Sequence, residues 1–224
     1  MRTKYNIMYK LVVFDLDGTL ANTLLDLANS MNKALAENSM PTHPVECYNQ
    51  FVGNGINNLV SRVLMDKGSD KELHSKVKAY FDSYYPEHLC DYTVAYEKMS
   101  DLLRRLSELK IKTAVHTNKP AEFVPQILST LYPQHRFDTV IGNCTDFERK
   151  PSPQALLYII DKAGVNKSET LYVGDSDVDV MTAHNAGVKV CGVEWGFRGR
   201  EELKDAGADY LVKNADELLS IIAG

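Results

Sequence analysis

Over most of this 224-residue chain, short unbroken apolar runs alternate with segments of helical length, and this pattern narrows the possible folds more than any other feature. Runs such as Leu11-Val-Val-Phe14 and Leu171-Tyr-Val173 show no polar residue at every second position. A strand with one wet face would alternate. A strand covered on both faces need not, and parallel sheets flanked by helices are covered in this way. The pattern predicts strands at Lys10–Phe14, Lys112–His116, Thr139–Ile141, Thr170–Val173, Val188–Val193 and Tyr210–Val212. From residue 112 onward it predicts helices over Pro120–Leu131, Ser152–Ala163, Asp177–Ala186 and Asn214–Ile222. Pro120 and Pro153 suit first helical turns, Gly164 and Gly187 suit helix ends, and Asn214 suits an N-cap.

The stretch from Asn22 to Lys110 breaks this rhythm, with helical candidates at Thr23–Ala36, Ile56–Lys67, Lys71–Tyr85 and Tyr96–Leu109. A crossover between parallel strands normally needs one helix, so the excess predicts an insertion. The expected fold class is α/β: a doubly wound parallel-sheet (Rossmann-like) core of residues 1–21 and 96–224, with an inserted helical cap domain of residues 22–95. Within the insertion, the aromatic stripe Tyr80–Tyr85 is expected in the core, and the mixed charges of 66–78 on a solvated helix face.

Composition excludes several classes. A formal net charge of −5 argues against nucleic acid, whose phosphate backbone calls for a basic surface. Cys47, Cys90, Cys144 and Cys191 are scattered without metal-ligand or disulfide spacing and read as thiols in a reducing compartment. The N-terminal apolar stretch Leu11–Phe14 is too short for a secretory signal or a membrane span, so a cytoplasmic protein with no membrane partner is expected. No residue pattern specifies an oligomeric state.

Four segments carry chemistry where an apolar run ends or shortly beyond: Asp15-Leu-Asp17-Gly18-Thr19, Thr117-Asn118, Lys150-Pro151 and Gly174-Asp175-Ser-Asp177-Val-Asp179. In an open α/β sheet, ligands bind beyond the carboxyl ends of the strands, so these ends are expected at one rim. In this order, the segments resemble the four motifs of the haloacid dehalogenase superfamily. Within it, Phe51-Val-Gly-Asn-Gly55, Thr117-Asn-Lys-Pro120, Gly196-Phe-Arg-Gly199 and Ala206-Gly-Ala-Asp209 are similar to segments of its phosphoglycolate phosphatase branch. The branch commonly has a proline-glycine pair after the tyrosine at 96; this chain has Glu97-Lys98. The resemblance implies a cap loop at Gly53, Asn54 and Gly55 that faces the substrate.

The residue chemistry agrees with that implication. Asp15 is the expected nucleophile, since an ionised carboxylate can attack phosphorus. Attack by an anion on an anion needs a cation between them. Mg2+ suits Asp15, the backbone carbonyl of Asp17, and Asp175, with Asp179 supporting directly or through water. Asp17 is the expected general acid, helped to hold a proton by its neighbouring carboxylate. Thr117, the Asn118 N–H and Lys150 are expected to clamp the phosphoryl oxygens. Asp177 is read as a helix cap, Thr19 as a turn residue and His116 as a packed histidine.

The expected function is Mg2+-dependent hydrolysis of a small phosphorylated metabolite, with 2-phosphoglycolate leading by resemblance. Pyrophosphate, a nucleotide or a sugar phosphate are alternative substrates, and a sugar phosphomutase is the nearest enzymatic rival. A receiver-like phosphoacceptor module, or an inactive binding protein, is the non-enzymatic alternative. A substrate that also carries a carboxylate needs a second cation, for which Arg62, Arg149 and Arg198 are candidates.

Overall fold

The computed structural model describes residues 9–224; the expected core segment begins at residue 1, and positions 1–8 lie outside the described residues. The chain opens with β1 (Leu11–Phe14) and a short β2 (Ala21–Asn22). It then passes through α1 (Leu24–Glu37), α2 (Tyr48–Phe51), α3 (Ile56–Val63) and α4 (Lys71–Tyr84), and returns by β3 (Val94–Ala95). After α5 (Met99–Glu108) come β4 (Lys112–Pro120), α6 (Val124–Leu131), β5 (Thr139–Asn143), α7 (Gln154–Ala163) and β6 (Thr170–Gly174). The chain closes with α8 (Asp177–Ala186), β7 (Lys189–Val193), α9 (Arg200–Asp205), β8 (Tyr210–Val212) and α10 (Ala215–Ala223).

Six strands form one parallel sheet in the order β5-β4-β1-β6-β7-β8. Successive side chains of β1 enter opposite faces. Val12 and Phe14 join a cluster with α5, α6, α10 and the inserted helices, whereas Leu11 and Val13 pack with α7 and α8. Both faces are therefore dry, which is why the strand sequence does not alternate. The two chain passages into and out of the inserted helices pair as an antiparallel ladder, Ala21↔Ala95 and Asn22↔Val94. No helix among the described residues is long and apolar enough to cross a membrane. All four cysteines are free.

Two local expectations need correction. Pro120 ends β4 instead of opening a helix; α6 begins at Val124, with Pro125 in its first turn. Proline fits both places, since neither requires its missing N–H. Helices α2 and α9, of four and six residues, are absent from the sequence reading because neither is long enough to display a period.

Candidate active site

From β1 the chain moves outward to β4 and β5, then crosses to β6 on the other side of β1. In such sheets the crevice at this reversal holds the ligand. Asp15 directly follows β1 and Asp175 directly follows β6, so both reach this crevice. The β1–β4 ladder ends at Phe14↔Val115, and the β4–β5 register shifts between His116 and Pro120. Residues 117–119 thus leave regular pairing beside the crevice, as a bulge would have them do. Gly18 lies at φ +84°, and a Cβ there would stand 2.2 Å from Asp175 Oδ2. Only glycine permits that turn so close to the carboxylate.

Asp15, Asp17, Thr117, Asn118 and Asp175 all line one cavity of about 50 Å³. Lys150 reaches the same place from the β5–α7 loop, its Nζ 2.9 Å from Asp15 Oδ1 and 2.7 Å from Asp179 Oδ1. The approach to Asp15 is off the hydrogen-bond direction, so Asp15 Oδ1 is buried without a hydrogen-bond donor. Burial lifts the Asp15 pKa to about 7, against the opposing pull of the Lys150 charge. Burial, joined by the charges of Asp179 and Asp15, raises Asp175 well above the carboxylate range. Burial disfavours the Lys150 ammonium, yet Asp15 and Asp179 hold its pKa well above the ordinary lysine value.

Carboxylate oxygens of Asp15, Asp175 and Asp179 lie within 4.8 Å of one another. Counting Asp17, four carboxylates face two ammonium groups, Lys119 and Lys150. This deficit of positive charge and the orphaned Asp15 oxygen fit a hard divalent cation with oxygen ligands. Asp179 has less to offer it. Its Oδ2 accepts from the Ser176 N–H (3.1 Å) and hydroxyl (2.7 Å), while its Oδ1 accepts from Lys150.

Other residues stand differently from expectation. The Asp17 carboxylate is outside the cluster of three; its Oδ1 accepts from Thr23 Oγ1 (2.7 Å) and Lys119 Nζ (3.1 Å). Ser176, not Asp177, is the N-cap of α8, because Asp179 at the third helical position reaches back to it. The Thr19 hydroxyl donates to Asp175 Oδ1 (3.3 Å). His116 is packed edge-on against Tyr172, and burial plus the Lys150 charge push its pKa down to about 3.

The Asn118 side chain, which sequence reasoning left without a role, clips the Lys150 backbone: Oδ1 accepts from Lys150 N–H (2.9 Å) and Nδ2 donates to Lys150 O (3.3 Å). It also donates to Gly53 O (3.3 Å), and Gly53 and Gly55 line the cavity. Asn54 is not on that wall. Of the three candidate arginines only Arg198 lines it; Arg62 holds the carbonyls of Gln50 and Phe51, and Arg149 lines a separate groove with Asn57 and Glu122. Lys119, Tyr85 and the Phe197 N–H (2.8 Å from Asp175 Oδ2) were missed. A lysine continuing an apolar strand was a visible cue for the first. A backbone donor leaves no mark on residue type.

A family model for haloacid dehalogenase-like hydrolases matches residues 12–193. The chain belongs to that family. Among curated haloacid dehalogenase-like relatives, the phosphoglycolate phosphatase of Mannheimia succiniciproducens is 35% identical over 223 residues, covering 97% of this chain and 100% of the relative. A crystal structure from Lactobacillus delbrueckii subsp. bulgaricus superposes with a TM-score of 0.92 at 29% identity, over 96% of this chain and 99% of the other. Another, of a predicted phosphoglycolate phosphatase from Haemophilus somnus, gives 0.88 at 32% identity, over 96% and 98%.

Proposed function

We propose that this protein is a Mg2+-dependent phosphatase that hydrolyses a small phosphomonoester through an aspartyl-phosphate on Asp15. The observation that carries this reading is the buried Asp15 carboxylate beside Lys150, in a group of three carboxylates within 4.8 Å at the rim of the sheet. Asp15 attacks phosphorus with a carboxylate lone pair, and the bond from phosphorus to the ester oxygen breaks. Asp17 gives its proton to the leaving alkoxide, then takes one from the water that attacks the acyl phosphate. Inorganic phosphate leaves and the Asp15 carboxylate returns. Thr117, the Asn118 N–H and Lys150 hold the phosphoryl oxygens. Mg2+, held by Asp15, Asp175 and the backbone carbonyl of Asp17, would offset the repulsion between carboxylate and phosphate. Asp179 supports this set from behind by fixing Lys150 and Ser176.

We assign residues 22–95 to a cap domain on a core of 1–21 and 96–224, with Gly53 facing substrate and the cap excluding water. The named relatives support 2-phosphoglycolate as substrate.

The test is phosphate release from 2-phosphoglycolate and other phosphometabolites, first with Mg2+ and then with a chelator. Release should require the cation, need no sugar bisphosphate, and fall at least ~10³-fold in Asp15→Asn. Asp15→Asn activity within a few fold of the parent would remove Asp15 as nucleophile.

A further inference from the structure

We infer that Lys119 selects the substrate: its buried ammonium receives a carboxylate carried on the carbon next to the scissile ester oxygen. This rests on the phosphatase reading above and narrows its substrates to phosphate esters of small 2-hydroxy acids.

Among the described residues, Lys119 and Arg198 are the cationic side chains on the cavity wall, and Lys150, which reaches the same place, is engaged with Asp15 and Asp179. The Arg198 guanidinium is committed to α2 and the residue that follows it, donating to Gln50 Oε1 and Val52 O (2.9 Å), with Glu202 3.5 Å from its Nε. Lys119 is different. Its side chain is 2% exposed, and its described partners are Tyr85 Oη (2.6 Å) and Asp17 (3.1 Å to Oδ1). An ammonium has three donors, and its longest contact, 3.4 Å to Asp17 Oδ2 on a carboxylate already bonded through Oδ1, is the one a ligand oxygen would take over. Tyr85 brings the far side of the site from the inserted helices, its ring 4.9 Å from Lys119 Nζ and braced edge-on by Phe123. The cation is thereby held at a fixed point on the wall.

Chemistry then sets what it can meet. Asp17 must lie within hydrogen-bond reach of the leaving oxygen to protonate it. Lys119 adjoins Asp17, so a group two covalent bonds beyond that oxygen falls beside the ammonium. A carboxylate there pairs with it. A methyl group there would leave a buried cation facing hydrocarbon, and sites built for a polar group reject analogues lacking it.

Steady-state kinetics on 2-phosphoglycolate and ethyl phosphate, which has a methyl in place of the carboxylate, test this. The quantity read is the ratio of the two kcat/KM values, so any general loss cancels. In Lys119→Met the ratio should fall ~10²-fold or more, chiefly through KM for 2-phosphoglycolate. Lys119→Gln, which keeps a hydrogen-bond donor toward Asp17 and Tyr85 but not the charge, should show the same fall. An unchanged ratio in either variant overturns the inference and makes Lys119 a positioning residue for Asp17. A parent enzyme that cleaves both esters without preference overturns it alone. A parent inactive on both with Mg2+ overturns the phosphatase reading and this inference with it.

Discussion

At Asp15, burial outweighs the attraction of Lys150 and raises the pKa from the usual carboxylate range to about 7. In the unfolded chain this group titrates near ~4. Between these values the folded state holds a proton that the unfolded state has released, so stability falls as pH rises through the window. The contribution is complete below about 4 and lost above about 7. For the metal-free protein, the stability of the parent relative to Asp15→Asn should therefore decline from pH 5 to pH 8 in urea unfolding. Added Mg2+ should recover it at pH 8. A difference that stays flat across this range would show that Asp15 ionises freely in the fold. The residue types at 15, 17, 117, 150 and 175 were legible because each stands at a distinctive place in an ordered set of motifs. Lys119 was equally visible, but its role was not: its partners Asp17 and Tyr85 lie 102 and 34 positions away.

Among the elements, the turn into α5 shows how a local departure is absorbed. Lys98 caps this helix at φ 59° and ψ 8°, the left-handed region. Glu97-Lys98 thus occupies a turn in which glycine would be unstrained. The Lys98–Asp216 ion pair is exposed on both sides and contributes little. Lys98→Gly should accordingly stabilise the protein by up to ~1 kcal/mol, after the added flexibility of the unfolded chain is discounted. Thermal or urea unfolding would measure this, and a clear loss of stability would mean that the ion pair outweighs backbone strain. The long helices and all six strands of the main sheet were readable from apolar periodicity, with ends shifted by a few residues. The β4 irregularity was not, because a register shift belongs to a pair of strands and has no signature in either one.

In the molecule as a whole, the core and the inserted helices meet over the cavity through a few directed contacts. Arg198 and Asn118 hold the carbonyls of Val52 and Gly53, while Arg62 holds those of Gln50 and Phe51 from within the insertion. Arg198→Ala should speed amide hydrogen exchange in residues 50–55 about tenfold or more, since a loop stripped of its ties opens locally at little cost to global stability. Exchange there unchanged from the parent would show that Asn118 and packing suffice. By itself the sequence determined a doubly covered parallel sheet and the reactive residue types at its strand ends, because burial on both faces and motif order are written along the chain. Only the tertiary structure decided which cation meets which carboxylate: Lys150 between Asp15 and Asp179, Lys119 on Asp17, Arg198 on the inserted loop. Those pairings depend on strand order and side-chain direction in space, which connect residues that no linear pattern brings together.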